Sequence, residues 1–271
     1  MSLRERIEGV IRYRELVRNL VMRDLKARYK NSALGFLWSL INPLLMMVVF
    51  TVVFTVMMPD NRIDRFPVFI LCALLPWNWF STSIGGGVNC IVGNAHLIKK
   101  VYFPREVLPI SVVLSNMVNF LLAMVVLFGA LFVFQIRLTP WAGLLPVVII
   151  VQALFTLGLT FALGTANVFY RDTGVIIEVV LLAWFFLTPV FYPMDILPTQ
   201  RVILGLTLDI QRLAYILNPM ASLIATYRVI LYYGAPPAFD FFIRTTVTAL
   251  ACLIVGYLIF ARYSPVFGEE V

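Results

Sequence analysis

Six runs of predominantly apolar residues, each about 18 residues or longer, divide the chain between residues 34 and 260. They lie near residues 34–58, 68–92, 108–134, 141–168, 175–192 and 241–260. A chain of 271 residues cannot hide six such runs in one compact soluble core. Charged residues make up only 13% of it, against about a quarter in a soluble domain. Mean hydropathy is +0.93. The runs are continuous, whereas a membrane β-barrel needs short segments of alternating polarity. The expected class is an all-α integral membrane protein with six transmembrane helices.

The connections set its direction. Of 21 Lys and Arg residues, 9 fall in 1–33, 3 in 93–107, 1 in 169–174 and 1 after Ala261. Basic residues collect on the cytoplasmic side of a membrane. Both termini are therefore expected in the cytoplasm, and the net charge of +7 reads as topology rather than as a nucleic-acid surface. The first run follows about thirty charge-rich residues and is too long for a signal-peptide core, so it should be a retained anchor. Cys72, Cys90 and Cys252 all sit in apolar runs, where packing is a better use than a disulfide.

Two long segments fall outside the runs. In the arm, residues 1–33, the positions Val10, Tyr13, Val17, Leu20, Val21 and Leu25 share one helical side. Arg12, Arg23, Lys26 and Lys30 point away, and Arg14, Arg18 and Arg28 must snorkel. This pattern predicts an amphipathic interface helix on the inner leaflet. Between spans five and six, residues 193–240 carry prolines at 193, 198, 219, 236 and 237. The apolar pieces 202–208, 213–217 and 221–233 are too short or too interrupted to span. They predict short re-entrant gate helices on the outer face.

Catalytic chemistry is not visible. The single histidine, His96, lies in a basic connection, and no His or Cys pair has metal-ligand spacing. No G-x-x-x-x-G-K-[ST] phosphate loop occurs. Gly85, Gly86 and Gly87 sit inside an apolar run and read as close helix packing or a flexible point. Glu178 lies about one turn from the inner end of span five and Asp240 at a boundary. Neither supplies the mid-membrane acid that ion coupling needs. A pathway opened by something outside the chain fits better.

Aromatic residues make up 14% of the chain. Trp141, Tyr192 and the pair Tyr232–Tyr233 suit the membrane interfaces. Trp38, Trp77, Trp79, Phe80, Trp184, Phe185, Phe186 and Phe191 lie within spans. Such rings could pack helices, or could stack on the C–H faces of a sugar. The candidate lining is Trp38, Trp79, Trp184, Phe185, Phe186, Phe191 and Tyr192.

Five stretches occur in a telling order: RYKNSALGFLWSLINP (28–43), LIKKVYFPREVLPI (97–110), NVFYRDTGVIIE (167–178), FFLTPVFYPMDILP (185–198) and LNPMASLIATYR (217–228). Together they resemble the permease subunit of type-2 ABC exporters, in the branch that exports O-antigen, capsule and teichoic-acid polymers. The resemblance implies a homodimer of six-span subunits lining a channel with spans one and five. It implies two copies of a separate ATP-binding subunit, which would hold the ATP and Mg that this chain has no loop to bind. The cargo would be a lipid-linked polysaccharide crossing the inner membrane, with no nucleic acid involved. ATPase coupling would fall to Lys99, Lys100, Tyr102, Phe103, Pro104, Arg105 and Glu106, with a second contact at Arg171 and Asp172. The tail after Tyr263 is expected to add no substrate-recognition domain. The rival readings are a type-2 ABC exporter of drugs or small lipids, a membrane glycosyltransferase or ligase, and an ion-coupled transporter.

Overall fold

The computed structural model describes residues 12–57, 63–193, 201–203 and 206–271. Val10 of the arm and residues 194–200 of the outer segment lie outside the described residues. The arm forms α1 (Arg14–Tyr29). Its apolar side faces the protein: Leu20 is buried beside Phe103, Val107, Phe260 and Phe267, with Tyr13, Leu16 and Val17 packed around them. Arg23, on the opposite side, donates to Asn94 Oδ1 at 3.3 Å. The chain reverses through Asn31 and Gly35, with φ of +60° and +50°. Positive φ is a position that asparagine and glycine tolerate.

The first span starts with a tight turn at Gly35–Leu37, continues as α2 (Trp38–Thr51) and ends in a π turn at Val52–Met57. Next come α3 (Phe66–Val88), α4 (Ala95–Lys100) and α5 (Val107–Val133). They are followed by α6 (Leu145–Phe169) and α7 (Thr173–Leu187). A two-stranded ladder pairs β1 (Arg201–Ile203) with β2 (Leu206–Leu208). Two short helices follow, α8 (Ile210–Leu217) and α9 (Pro219–Arg228), and a π turn at Val229–Tyr233. The last elements are α10 (Phe239–Tyr263) and α11 (Phe267–Glu270).

Among the described residues, five helices are long and apolar enough to cross a membrane: Gly35–Thr55, Phe66–Val88, Val107–Val133, Pro140–Phe169 and Phe239–Glu270. They match spans one to four and six. The fold is the all-α membrane protein expected, with one small β ladder. α3 is its hub: 78% of its apolar stretch is buried, against 6% for the first span. Two glycines let α6 and α10 meet backbone to backbone. A Cβ on Gly256 would come within 2.0 Å of the Gly158 carbonyl oxygen, and one on Gly158 within 2.6 Å of the Cys252 carbonyl. Gly87 plays the same part between α3 and α6, since a Cβ there would meet Thr160 at 2.2 Å. Of the glycine triplet, Gly87 packs closely and Gly85 faces open space.

Polar side chains tie the apolar helices together. Gln152 on α6 donates to the Pro76 carbonyl on α3 at 2.8 Å. Asn167 donates to the Val88 carbonyl at 3.0 Å, satisfying an end-of-helix acceptor. Cys72, Cys90 and Cys252 are free thiols.

Two expectations change. The apolar run at 175–192 predicts a fifth span, but its helix stops at Leu187. At about 1.5 Å per residue, 15 residues give about 22 Å, short of a 30 Å hydrocarbon layer. The cause is Pro189, which drives Thr188 into the extended region at φ −97°, ψ 133°. Within 193–240, the described residues of the piece at 202–208 form the β ladder, Arg201–Ile203 against Leu206–Leu208, and not a helix. Val202, Ile203 and Thr207 are β-branched and favour strand. The rest does form two short helical pieces, Gln211–Leu217 and Pro219–Tyr233, bent by 110° at Asn218.

Candidate functional site

The extended residues after α7 leave peptide groups outside any helix, at the end of an apolar one. Such backbone persists only where protein groups satisfy it. Arg228, at the end of α9, does this. It is 4% exposed and donates to the carbonyls of Pro189, Val190 and Tyr192, the last at 3.3 Å. Its Nε reaches the Phe69 carbonyl at 3.4 Å, and its guanidinium lies 3.7 Å from the Phe69 ring centre. Asn218 closes the other side. Its Oδ1 accepts from the Ala221 amide at 3.1 Å and from the Trp184 indole at 2.8 Å. Its amide donates to Thr188 Oγ1 at 2.9 Å. As the N-cap of α9, with Pro219 at the first position, it starts the helix and holds the end of α7.

The aromatic candidates divide into two groups. Phe191 is the centre of the first. It stacks on Phe54 at 5.5 Å, meets Phe50 at 5.6 Å and Phe185 at 4.8 Å, and lies 6.1 Å from Phe186. Phe185 continues to Trp77, and Trp184 to Phe80. The Tyr192 hydroxyl donates to the Phe186 carbonyl at 3.2 Å. Trp184, Phe185, Phe186, Phe191 and Tyr192 thus gather at one wall with the first span. Phe50 and Phe54 join them unannounced, although their spacing of four places both on one helix face. Trp38 and Trp79 are elsewhere. Trp79 is buried, stacked on Phe120 at 4.9 Å, with its indole donating to the Val113 carbonyl at 3.3 Å.

Trp38 and Trp79 border an open cavity of about 310 Å³ between α2, α3 and α5, which Arg28 enters from α1. Arg28 donates to Asn116 Oδ1 at 2.6 Å.

The coupling candidates also separate. Lys99, Lys100, Val101 and Tyr102 are exposed, Tyr102 by 88%. Phe103, at 8%, packs with Phe260 and Phe267, and Glu106 is buried. The Pro104 carbonyl accepts from Val107 at 3.2 Å, opening α5. Arg105 lies over the Phe267 ring at 6.0 Å. Burial there pushes its guanidinium below its ordinary pKa, against the opposing pull of Glu106. Arg171 and Asp172 are exposed in the turn between α6 and α7, where the Asp172 carbonyl accepts from Ile176 at 3.0 Å. His96 and Glu178 are exposed.

The chain is similar over 98% of its length to the O-antigen export system permease protein RfbA of Myxococcus xanthus, at 38% identity with 98% of that protein covered. An O-antigen export system permease protein RfbA of Klebsiella pneumoniae is 31% identical, over 91% of each chain. The polysialic acid transport protein KpsM of Escherichia coli is 30% identical over 104 residues, 37% of this chain and 38% of that one. The family model for ABC-2 type transporters matches residues 15–232, which takes in α1, the first span, the aromatic wall and the Arg228 clamp. This chain is a multi-pass membrane protein of the ABC-2 type transporter family.

Proposed function

We propose that the chain is the channel-forming permease subunit of an ATP-driven exporter that moves a lipid-linked polysaccharide across the inner membrane. It works as a homodimer with two copies of a separate ATP-binding subunit, which holds ATP and Mg. Both termini face the cytoplasm, in keeping with the 14 basic residues of the inner segments. The observation that carries this reading is the aromatic wall around Phe191, joining the first span to α7. Rings can stack on sugar faces without reading a sequence of sugars, which suits a sliding polymer. Both elements also keep bare apolar faces: Leu44, Leu45, Val48 and Val49 on α2, and Val175, Val179, Leu182 and Leu187 on α7. A second copy of the chain would flank the pathway with such faces.

The ATP-binding subunit docks on Lys99, Lys100 and Tyr102, with Arg171 and Asp172 as a second contact. Phe103, Pro104, Arg105 and Glu106 lie beneath and pass its motion to α5, α10 and α11. Coupling needs such a rigid connection between a moving partner and the spans. The test is co-purification with the ATP-binding subunit, followed by ATPase measurement. Lipid-linked glycans should stimulate hydrolysis. Stimulation by small lipids or drugs alone would replace the polysaccharide reading with that of another ABC-2 exporter.

A further inference from the structure

The cavity beneath α1 is built from groups that an aromatic polymer pathway does not use. Asn42, Asn78 and Asn116 reach it from three different apolar helices, and Trp38 and Trp79 form part of its wall. Polar side chains at membrane depth are costly and signal a use. Among the described residues, Arg28 is the only charged one in its lining, which gives the cavity a positive charge. Asn116 fixes that charge: its amide donates to the Val112 carbonyl at 2.9 Å, while its Oδ1 takes one guanidinium N–H at 2.6 Å. A guanidinium has five N–H donors, of which the bond to Asn116 uses one, and Asn42 and Asn78 of the lining carry side-chain amides. A donor-rich, cationic cavity suits an anion with several oxygens, and a guanidinium pairs with phosphate through two parallel bonds. The apolar surroundings specify what carries that anion. Trp38, Phe36 and Leu37 are exposed at the start of the first span, beside α1. They would accept the first carbons of a lipid tail.

We propose that this cavity binds the phosphoryl headgroup of a membrane lipid, with Arg28 as its anion ligand and Asn116 as the residue that positions Arg28. The proposal goes beyond the export reading, because the chemistry is the same for an isoprenoid phosphate carrying a glycan and for a bulk anionic phospholipid.

The test uses the full chain in phosphatidylcholine nanodiscs. It is titrated with an isoprenoid phosphate, with phosphatidylglycerol and with inorganic phosphate, while tryptophan emission is read. Both lipids should give a saturable change that Trp38→Phe diminishes, and inorganic phosphate a much weaker one. Arg28→Gln should weaken lipid binding about tenfold or more. Arg18→Gln, on the exposed side of α1, should leave it unchanged. Arg28→Lys keeps the charge but loses the fork, and should weaken binding about threefold even if Arg28→Gln fails to assemble. Tighter binding of the isoprenoid phosphate supports a carrier site, and equal binding supports a site for phosphoryl lipids at large. Unchanged affinity in both Arg28 variants, or an equal loss in Arg18→Gln, would overturn the proposal. Neither ATP nor glycan is present, so a failure of the export reading would leave this result standing.

Discussion

Arg228 and Tyr102 differ in what their loss should do. Arg228 is buried with its donors on three carbonyls of the stretch after α7 and on Phe69. Arg228→Met keeps the bulk and removes the donors. It should cost about 2–4 kcal/mol, measured as thermal unfolding in detergent, since orphaned buried carbonyls keep their desolvation penalty. Tyr102 stands clear of the bundle. Tyr102→Ala should leave unfolding unchanged and cut the yield of co-purified ATP-binding subunit severalfold. Phe103→Ala should lower stability by about 3 kcal/mol, as expected for a buried ring. That contrast was not legible in the motif VYFPRE, where two neighbouring aromatics look alike. Which one turns inward depends on α1, α10 and α11, all distant in sequence. Arg228 was similarly opaque. An arginine at the end of a short apolar helix signals a partner, but the partners are carbonyls 36 to 39 residues away, which carry no sequence mark.

At the scale of elements, the long helices were the most legible. Runs of about 20 or more apolar residues have few alternatives, and each of the five long helices falls on one of them. The fifth span was misjudged because hydropathy continues through TPVFYP while Pro189 ends the helix. The proline was the readable signal. The seam between α6 and α10 was not readable, because Gly158 and Gly256 lie about a hundred residues apart and only the fold brings them together. Gly256→Leu should force these helices apart. It should destabilise the protein by about 2 kcal/mol or more, seen as a lowered melting temperature. Trp184→Phe keeps the ring and removes the indole hydrogen bond to Asn218. It should cost about 1 kcal/mol. Phe191→Ala removes the shared contact of α7 and the first span. Export should fall while assembly with the ATP-binding subunit persists. Unimpaired export in that variant would return the aromatic wall to a packing role.

Across the whole molecule, the helices divide into a buried hub and bare flanks. α3 takes the centre, and the first span and α7 keep open apolar faces joined at Phe191. The proposed pairing with a second copy rests on these bare faces, the proposed ATPase contact on the exposed Lys99, Lys100 and Tyr102, and the stretch after α7 is held by Arg228 and Asn218. Sealed inside-out vesicles test ATP-driven polysaccharide export. They would contain this chain with its ATP-binding subunit and be loaded from outside with a lipid-linked glycan. ATP should drive the glycan into the lumen, beyond the reach of a glycosidase added outside. Glycan that stays fully cleavable with ATP present would contradict it, provided both subunits are assembled and hydrolysing ATP.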